Sequence, residues 1–228
     1  MRPKPEMLLP FGNVVVIDDD ASVRRSLGTM LERAGYTVSL HESADEFLKN
    51  PVLPTPAVMV LDMRMPGTTG VALQSKLKTL SQSAAVVFVS GDSRPDEIIA
   101  AMKQGAVDFL LKPFSAQAML DAVQKAMVMA QQLTMQSKKQ LKVSERLVRL
   151  TPRELEICYW MVRGYSNQQI ASLDGGAPAT VKLHRARVME KMSAQSLPEL
   201  IDMLSGMALP VPAPSTLKNV TEPQPVQG

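Results

Sequence analysis

Asp18 and Asp19, Asp62, Ser90 and Lys112 lie far apart in the chain, yet each directly follows a short apolar run. The runs are Val14–Ile17, Val58–Leu61, Ala85–Val89 and Val107–Leu111. If they are strands of one sheet, three carboxylates meet at its edge. Such a set repels itself unless a hard divalent cation such as Mg²⁺ sits among the oxygens. A lysine and a hydroxyl beside it suit the oxygens of a transferred phosphoryl group. Aspartate is also a common turn residue and strand ends are wet, so any one of these positions alone signifies little. Their recurrence at four run ends argues against coincidence.

The elements that would hold these residues read as an α/β unit. The apolar runs are β-branched and continuous rather than alternating, which predicts parallel strands covered on both faces. A weaker strand fits 37–40. Helical patterns fall at 43–49, 68–80, 95–104 and 115–130, and another carries Val23, Leu27, Met30 and Leu31 up to Gly35. The expectation is a doubly wound five-stranded parallel sheet over 13–130. Sites in such sheets form outside the carboxyl ends of the strands, where the five residues lie.

Residues 131–150 are rich in Gln, Lys and Met and hold no Gly or Pro, which predicts a helical linker. Thr151-Pro152-Arg153-Glu154 then reads as a capping box with proline at the first helical position. A second, smaller all-α domain is expected over 151–204. The tail, 205–228, is proline-rich and without periodicity, and is expected to be disordered.

Charge separates the two modules. Residues 13–130 carry 11 Lys/Arg against 13 Asp/Glu, and residues 138–192 carry 11 against 5. The basic second module suits a polyanion, although a basic solvated face with no partner has the same composition. Cys158 is the only cysteine and its apolar neighbours make it a core thiol. No apolar run reaches 18 residues, which predicts no membrane span and a cytoplasmic location.

The first module resembles the receiver domain of two-component response regulators in Val16-Ile17-Asp18-Asp19-Asp20, Leu61-Asp62-Met63-Arg64-Met65-Pro66-Gly67, Val89-Ser90-Gly91 and Leu111-Lys112-Pro113-Phe114. The resemblance implies a flavodoxin-like fold in which Asp62 accepts a phosphoryl group from a sensor histidine kinase. It implies Mg²⁺ held by Asp18, Asp19, Asp62 and the backbone carbonyl of Arg64, with Lys112 pairing the phosphoryl oxygens. Ser90 and Phe109 would be the switch pair, and Lys112–Pro113 a cis peptide. Asp20 reads as a helix-start acid rather than a ligand. Self-phosphorylation and slow autodephosphorylation would be the only chemistry. A stand-alone hydrolase of this acid-rich fold would need a general base and a second substrate pocket, and the sequence offers neither.

The second module is similar to the LuxR-type helix-turn-helix of the FixJ-like subfamily in Leu150-Thr151-Pro152-Arg153-Glu154, Gly164-Tyr165-Ser166-Asn167, Ile170-Ala171 and 181–192. That likeness implies promoter DNA as partner, with Asn167, Thr180, Lys182, Arg185 and Arg187 as contacts. Periodicity puts Val181, His184, Val188 and Met192 inward and Lys182 and Arg185 outward. Phosphorylation would pair two chains through the fourth helix and last strand, with RNA polymerase a candidate partner.

One stretch departs from the family. Asp174 and Gly176 replace buried aliphatics, Ala177 a capping hydroxyl residue and Ala179 an arginine. The two glycines are expected to loosen the turn, with Leu173 a partial substitute for the lost anchor. The expectation is a phosphorylation-controlled DNA-binding regulator. The alternative is a receiver whose degenerate helical unit acts through protein–protein interaction.

Overall fold

Asn13–Ile17 (β1), Thr37–His41 (β2), Ala57–Asp62 (β3), Ala85–Ser90 (β4) and Asp108–Leu111 (β5) form one parallel sheet in the order β2-β1-β3-β4-β5. The structure, a computed structural model, describes residues 12–79, 84–92 and 94–211. The chain divides into two compact units, one up to Ser137 and one from Lys138.

The continuous apolar strands divide between two cores because successive side chains of a strand point to opposite faces. Val14 and Val16, Val58 and Val60, and Val87 and Val89 enter one core. Val15 and Ile17, Met59 and Leu61, and Val86 and Phe88 enter the other. Helices α1 (Ala21–Arg33) and α5 (Ala116–Val148) supply Leu27, Leu31, Met119 and Val123 to the first core. Helices α2 (Ala44–Lys49), α3 (Gly70–Thr79) and α4 (Pro95–Lys103) supply Phe47, Leu73, Leu77 and Ala101 to the second. This is the doubly wound α/β arrangement that the sequence predicts. Asp20 caps α1, accepting from the backbone N–H groups of Ser22 and Val23, as its position at the helix start suggests.

Helix α5 runs without interruption through 131–148, the stretch expected as a helical linker. The second unit is all-α: α6 (Pro152–Met161), α7 (Asn167–Asp174), α8 (Pro178–Met192) and α9 (Leu197–Leu204). Ile157, Met161, Ile170, Val181, Val188, Met192, Leu200 and Leu204 fill its core. Cys158 is buried there, and burial pushes its thiol up to about 11, as befits a core thiol. The described part of the tail, 205–211, forms no helix or strand, but Met207 and Leu209 pack against that core. The rest of the expected disordered tail, 212–228, lies outside the described residues. No described helix is long and apolar enough to cross a membrane.

The second unit is tied at its entry by the expected capping box. Thr151 Oγ1 accepts from the Glu154 N–H, and Glu154 Oε2 accepts from the Thr151 N–H at 2.8 Å. The same carboxylate, 2% exposed, also takes Lys191 Nζ from the end of α8 at 2.5 Å. The Lys191 bond, then the Thr151 N–H, lower the Glu154 pKa to about 2 from an ordinary 4.5. A depressed carboxylate stabilises the fold above its unfolded pKa and loses that contribution as pH falls through its folded one. The second unit should therefore lose stability as pH falls from 4.5 towards 2. Trp160, the only tryptophan, reports this by fluorescence in urea titrations of the full chain. Glu154→Gln, which keeps the cap acceptor but not the charge, should flatten that pH dependence. An unaltered slope in the variant would sink the assignment.

Candidate functional site

Strand register brings the acidic residues together. Ile17 pairs with Leu61, so Asp18 emerges beside Asp62. Asp62 pairs with Val89, so Ser90 follows next door, and Ser90 pairs with Leu111, so Lys112 comes last. The Lys112 N–H also donates to the Ser90 carbonyl at 2.8 Å. Five residues spread over nearly a hundred positions thus share one sheet edge.

Asp18 is fully buried, Asp62 is buried, and Asp19 is exposed at the mouth. Each contributes a carboxylate oxygen to a cluster whose members lie within 4.8 Å of one another. Lys112 Nζ bridges two of them, at 2.7 Å from Asp18 Oδ2 and 2.8 Å from Asp62 Oδ2. The second oxygens are held by backbone: Asp18 Oδ1 accepts from the Asp20 N–H and Asp62 Oδ1 from the Arg64 N–H. Burial pushes the Asp18 carboxyl above its usual range, against the pull of Lys112. Burial likewise opposes charge on Lys112, but its bonds to Asp18 and Asp62 prevail and raise its pKa. Three carboxylates facing one ammonium fit a divalent cation, whose charge would offset the remaining repulsion.

Ser90 is buried at this edge, and Phe109 is half-buried against the second core. The Lys112–Pro113 bond is cis. Arg64 enters the pocket through its main chain, while its guanidinium reaches Glu97 at 3.0 Å and Asp92 at 3.5 Å. Two supports were not anticipated from sequence. A Cβ on Gly70 would lie 2.4 Å from the Asp62 carbonyl oxygen, so only glycine lets α3 start this close to Asp62. Asp45 takes the backbone N–H and hydroxyl of Thr68, tying the loop after Asp62 to α2. A glycine at a helix start is a legible sign of close backbone approach; the Asp45 contact has no local signature.

In the second unit, α7 and α8 form a helix-turn-helix. Val181, Val188 and Met192 are buried and His184 is half-buried, the inward face expected from periodicity. Thr180, Lys182 and Arg187 are exposed, and Asn167 is half-buried at the first position of α7. Arg185 differs from expectation. It is half-buried, and its Nη1 donates to the Tyr165 carbonyl at 3.1 Å, linking α8 to the turn before α7. Burial draws its pKa down.

The family model of the response regulator receiver domain matches residues 14–124, and that of the bacterial regulatory proteins of the luxR family matches 148–204. The transcriptional regulatory protein FixJ of Azorhizobium caulinodans is 39% identical over 197 residues, covering 86% of this chain and 93% of that protein. The chain belongs to the FixJ-like response regulators. Among solved structures, the response regulator StyR aligns with TM-score 0.67 at 36% identity, over 85% of this chain and 98% of that one. Full-length FixJ from B. japonicum aligns with TM-score 0.52 at 35% identity, over 86% and 97%. A receiver with this acidic cluster, joined to a LuxR-type unit, makes the protein a phosphorylation-controlled DNA-binding regulator.

Within that family pattern, the unusual turn of this response regulator is ordered by backbone rather than side chains. Gly175 adopts φ 73°, and the N–H groups of both Gly175 and Gly176 reach the Ala171 carbonyl. This closes α7 with a left-handed cap of Schellman type. Gly175 therefore has a structural use as the cap of α7, which the expectation of a loosened turn did not include. Leu173 is buried. Ala177 caps α8 without a side-chain bond, and Pro178 opens it. Gly175→Ala should cost the second unit about 1 kcal/mol, because a Cβ is strained in the left-handed region. Gly175→Asn should cost less. Urea midpoints from Trp160 fluorescence check both, and equal losses would contradict the left-handed cap.

Proposed function

We propose that Asp62 is the phosphoryl acceptor. A carboxylate oxygen of Asp62 attacks the phosphorus of a sensor kinase's phosphohistidine, the P–N bond breaks, and the imidazole leaves with the electron pair. Asp18, Asp19, Asp62 and the Arg64 carbonyl would hold Mg²⁺, which when bound supplies positive charge to the phosphoryl oxygens. The observation that carries this reading is the Lys112 ammonium bridging Asp18 and Asp62. Bonded to the Asp62 carboxylate, it is within reach of the oxygens of a phosphoryl group on that residue, and would compensate negative charge that grows on transfer. Slow attack of water on the phosphorus breaks the acyl O–P bond, releasing inorganic phosphate and returning the carboxylate, so the chemistry resets a signal rather than turning over a metabolite.

Ser90 then bonds the phosphoryl group and Phe109 repacks beside it. The face of α4 and β5 carries exposed Ile99, Met102 and Leu111, an apolar patch that suits pairing with a second copy. Two second units reach two half-sites of promoter DNA, with Lys182, Arg187, Thr180 and Asn167 as contacts, and RNA polymerase is the recruited partner. Arg185 acts as a positioning residue through Tyr165.

Asp62→Asn should abolish labelling by acetyl phosphate with Mg²⁺ present. Undiminished label in the variant would move the acceptor elsewhere. Light scattering of the wild-type protein should show a doubled mass with a beryllofluoride mimic. An unchanged mass would remove the pairing step.

A further inference from the structure

The outward side of α8 is poor in hydrogen-bonding groups. Val181, Val188 and Met192 face the core, and His184, Arg185, Met189 and Lys191 are half-buried beside them. Opposite lie Ala179, Leu183, Ala186 and Glu190, spaced four, three and four apart, so they form one exposed ridge along the helix. Leu183 leaves 52% of its surface uncovered and takes no part in the core cluster. Lys182 flanks the ridge on one side, and Arg187 with Thr180 on the other. Glu190 sits seven residues beyond Leu183, two turns from the N-terminal half that meets base edges in helix-turn-helix docking.

An aliphatic side chain reads bases in one way. In the major groove, the C5-methyl of thymine is the apolar feature, whereas guanine, adenine and cytosine present acceptors and donors there. Leucine against those groups would leave them desolvated and unpaired, which disfavours them. The methyl groups of Ala179 and Ala186 extend the same apolar strip on either side.

We propose that Leu183 is the specificity-determining residue of this protein, seating against thymine methyl groups in the operator, with Ala179 and Ala186 widening the contact and Lys182 and Arg187 gripping phosphates on the flanks. This rests on the reading that α8 enters the major groove. Ala179, where the family carries arginine, then belongs to a methyl-reading face rather than marking only a lost contact.

The test uses full-length protein with the beryllofluoride mimic and DNA fragments that it selects from genomic DNA. Each fragment is amplified with dTTP or with dUTP, which removes only the 5-methyl groups. Anisotropy titration should give wild-type binding weaker on uracil DNA by about fourfold for each buried methyl lost. Leu183→Ala should lose most of that preference, keeping only the part that Ala179 and Ala186 supply. Lys182→Ala should weaken both by one common factor and reduce the salt slope by about one. An unchanged urea midpoint of Trp160 fluorescence in Leu183→Ala would exclude misfolding as the cause. Equal wild-type affinity for the two forms, or a thymine preference undiminished in Leu183→Ala, overturns this assignment and leaves DNA binding standing. Absence of selective binding to any fragment overturns it together with the functional reading.

Discussion

Carboxylates repel, and the carboxyl edge of this sheet gathers three of them within 4.8 Å. Lys112 is the group that makes the gathering tenable, lying within 2.8 Å of both Asp18 and Asp62. Its position follows from β5 ending at the Ser90–Leu111 pair, one residue before Lys112. Removing that ammonium would leave two buried anions facing each other with only backbone N–H groups to hold them, a costly arrangement in a poorly solvated site. The sheet register, the glycine at the start of α3 and the Asp45 tie to Thr68 all keep the anions where the lysine reaches them. A site of this kind is poised: it accommodates a cation or a phosphoryl group because each rearranges charge that is already strained.

The apolar strands and the acidic edge are two aspects of one construction. Strands buried on both faces need uninterrupted Val, Ile, Leu and Met, and end where the chain meets water. That end is where charged side chains become affordable, so fold and chemistry alternate along the sequence within one or two residues. The proposed switch pair lies at the same edge. Ser90 and Phe109 are neighbours of the acidic pocket through β4 and β5, and exposed Leu111 shares β5 with Phe109.

The second unit solves a different problem. Its turn lacks the side-chain cap and the two buried aliphatics usual in its family, yet α7 is closed by backbone hydrogen bonds from Gly175 and Gly176 to Ala171. A left-handed glycine closes α7 without any side chain. Arg185 ties α8 to the turn before α7 by donating to the Tyr165 carbonyl. The exposed ridge of α8 takes no part in these contacts.

Much of this was legible in the chain itself. Continuous β-branched runs fix strands, their abrupt acidic ends mark the pocket, and Thr151-Pro152-Arg153-Glu154 marks a helix start, because each depends on interactions within a few residues. Asp20 as a cap and Val181, Val188 and Met192 as an inward face are local in the same sense. The sequence left undecided whatever depends on neighbours distant in the chain. Gly175 read as flexibility until its φ of 73° and its bond to Ala171 showed a cap. Arg185 read as facing outward from helical spacing, whereas it is half-buried and its Nη1 donates to the Tyr165 carbonyl twenty residues earlier. The Asp45–Thr68 tie is of the same kind. Periodicity assigns a residue to a side of its own helix or strand; only packing decides which group from another element waits there, and that contact sets whether a side chain supports the fold or faces a partner.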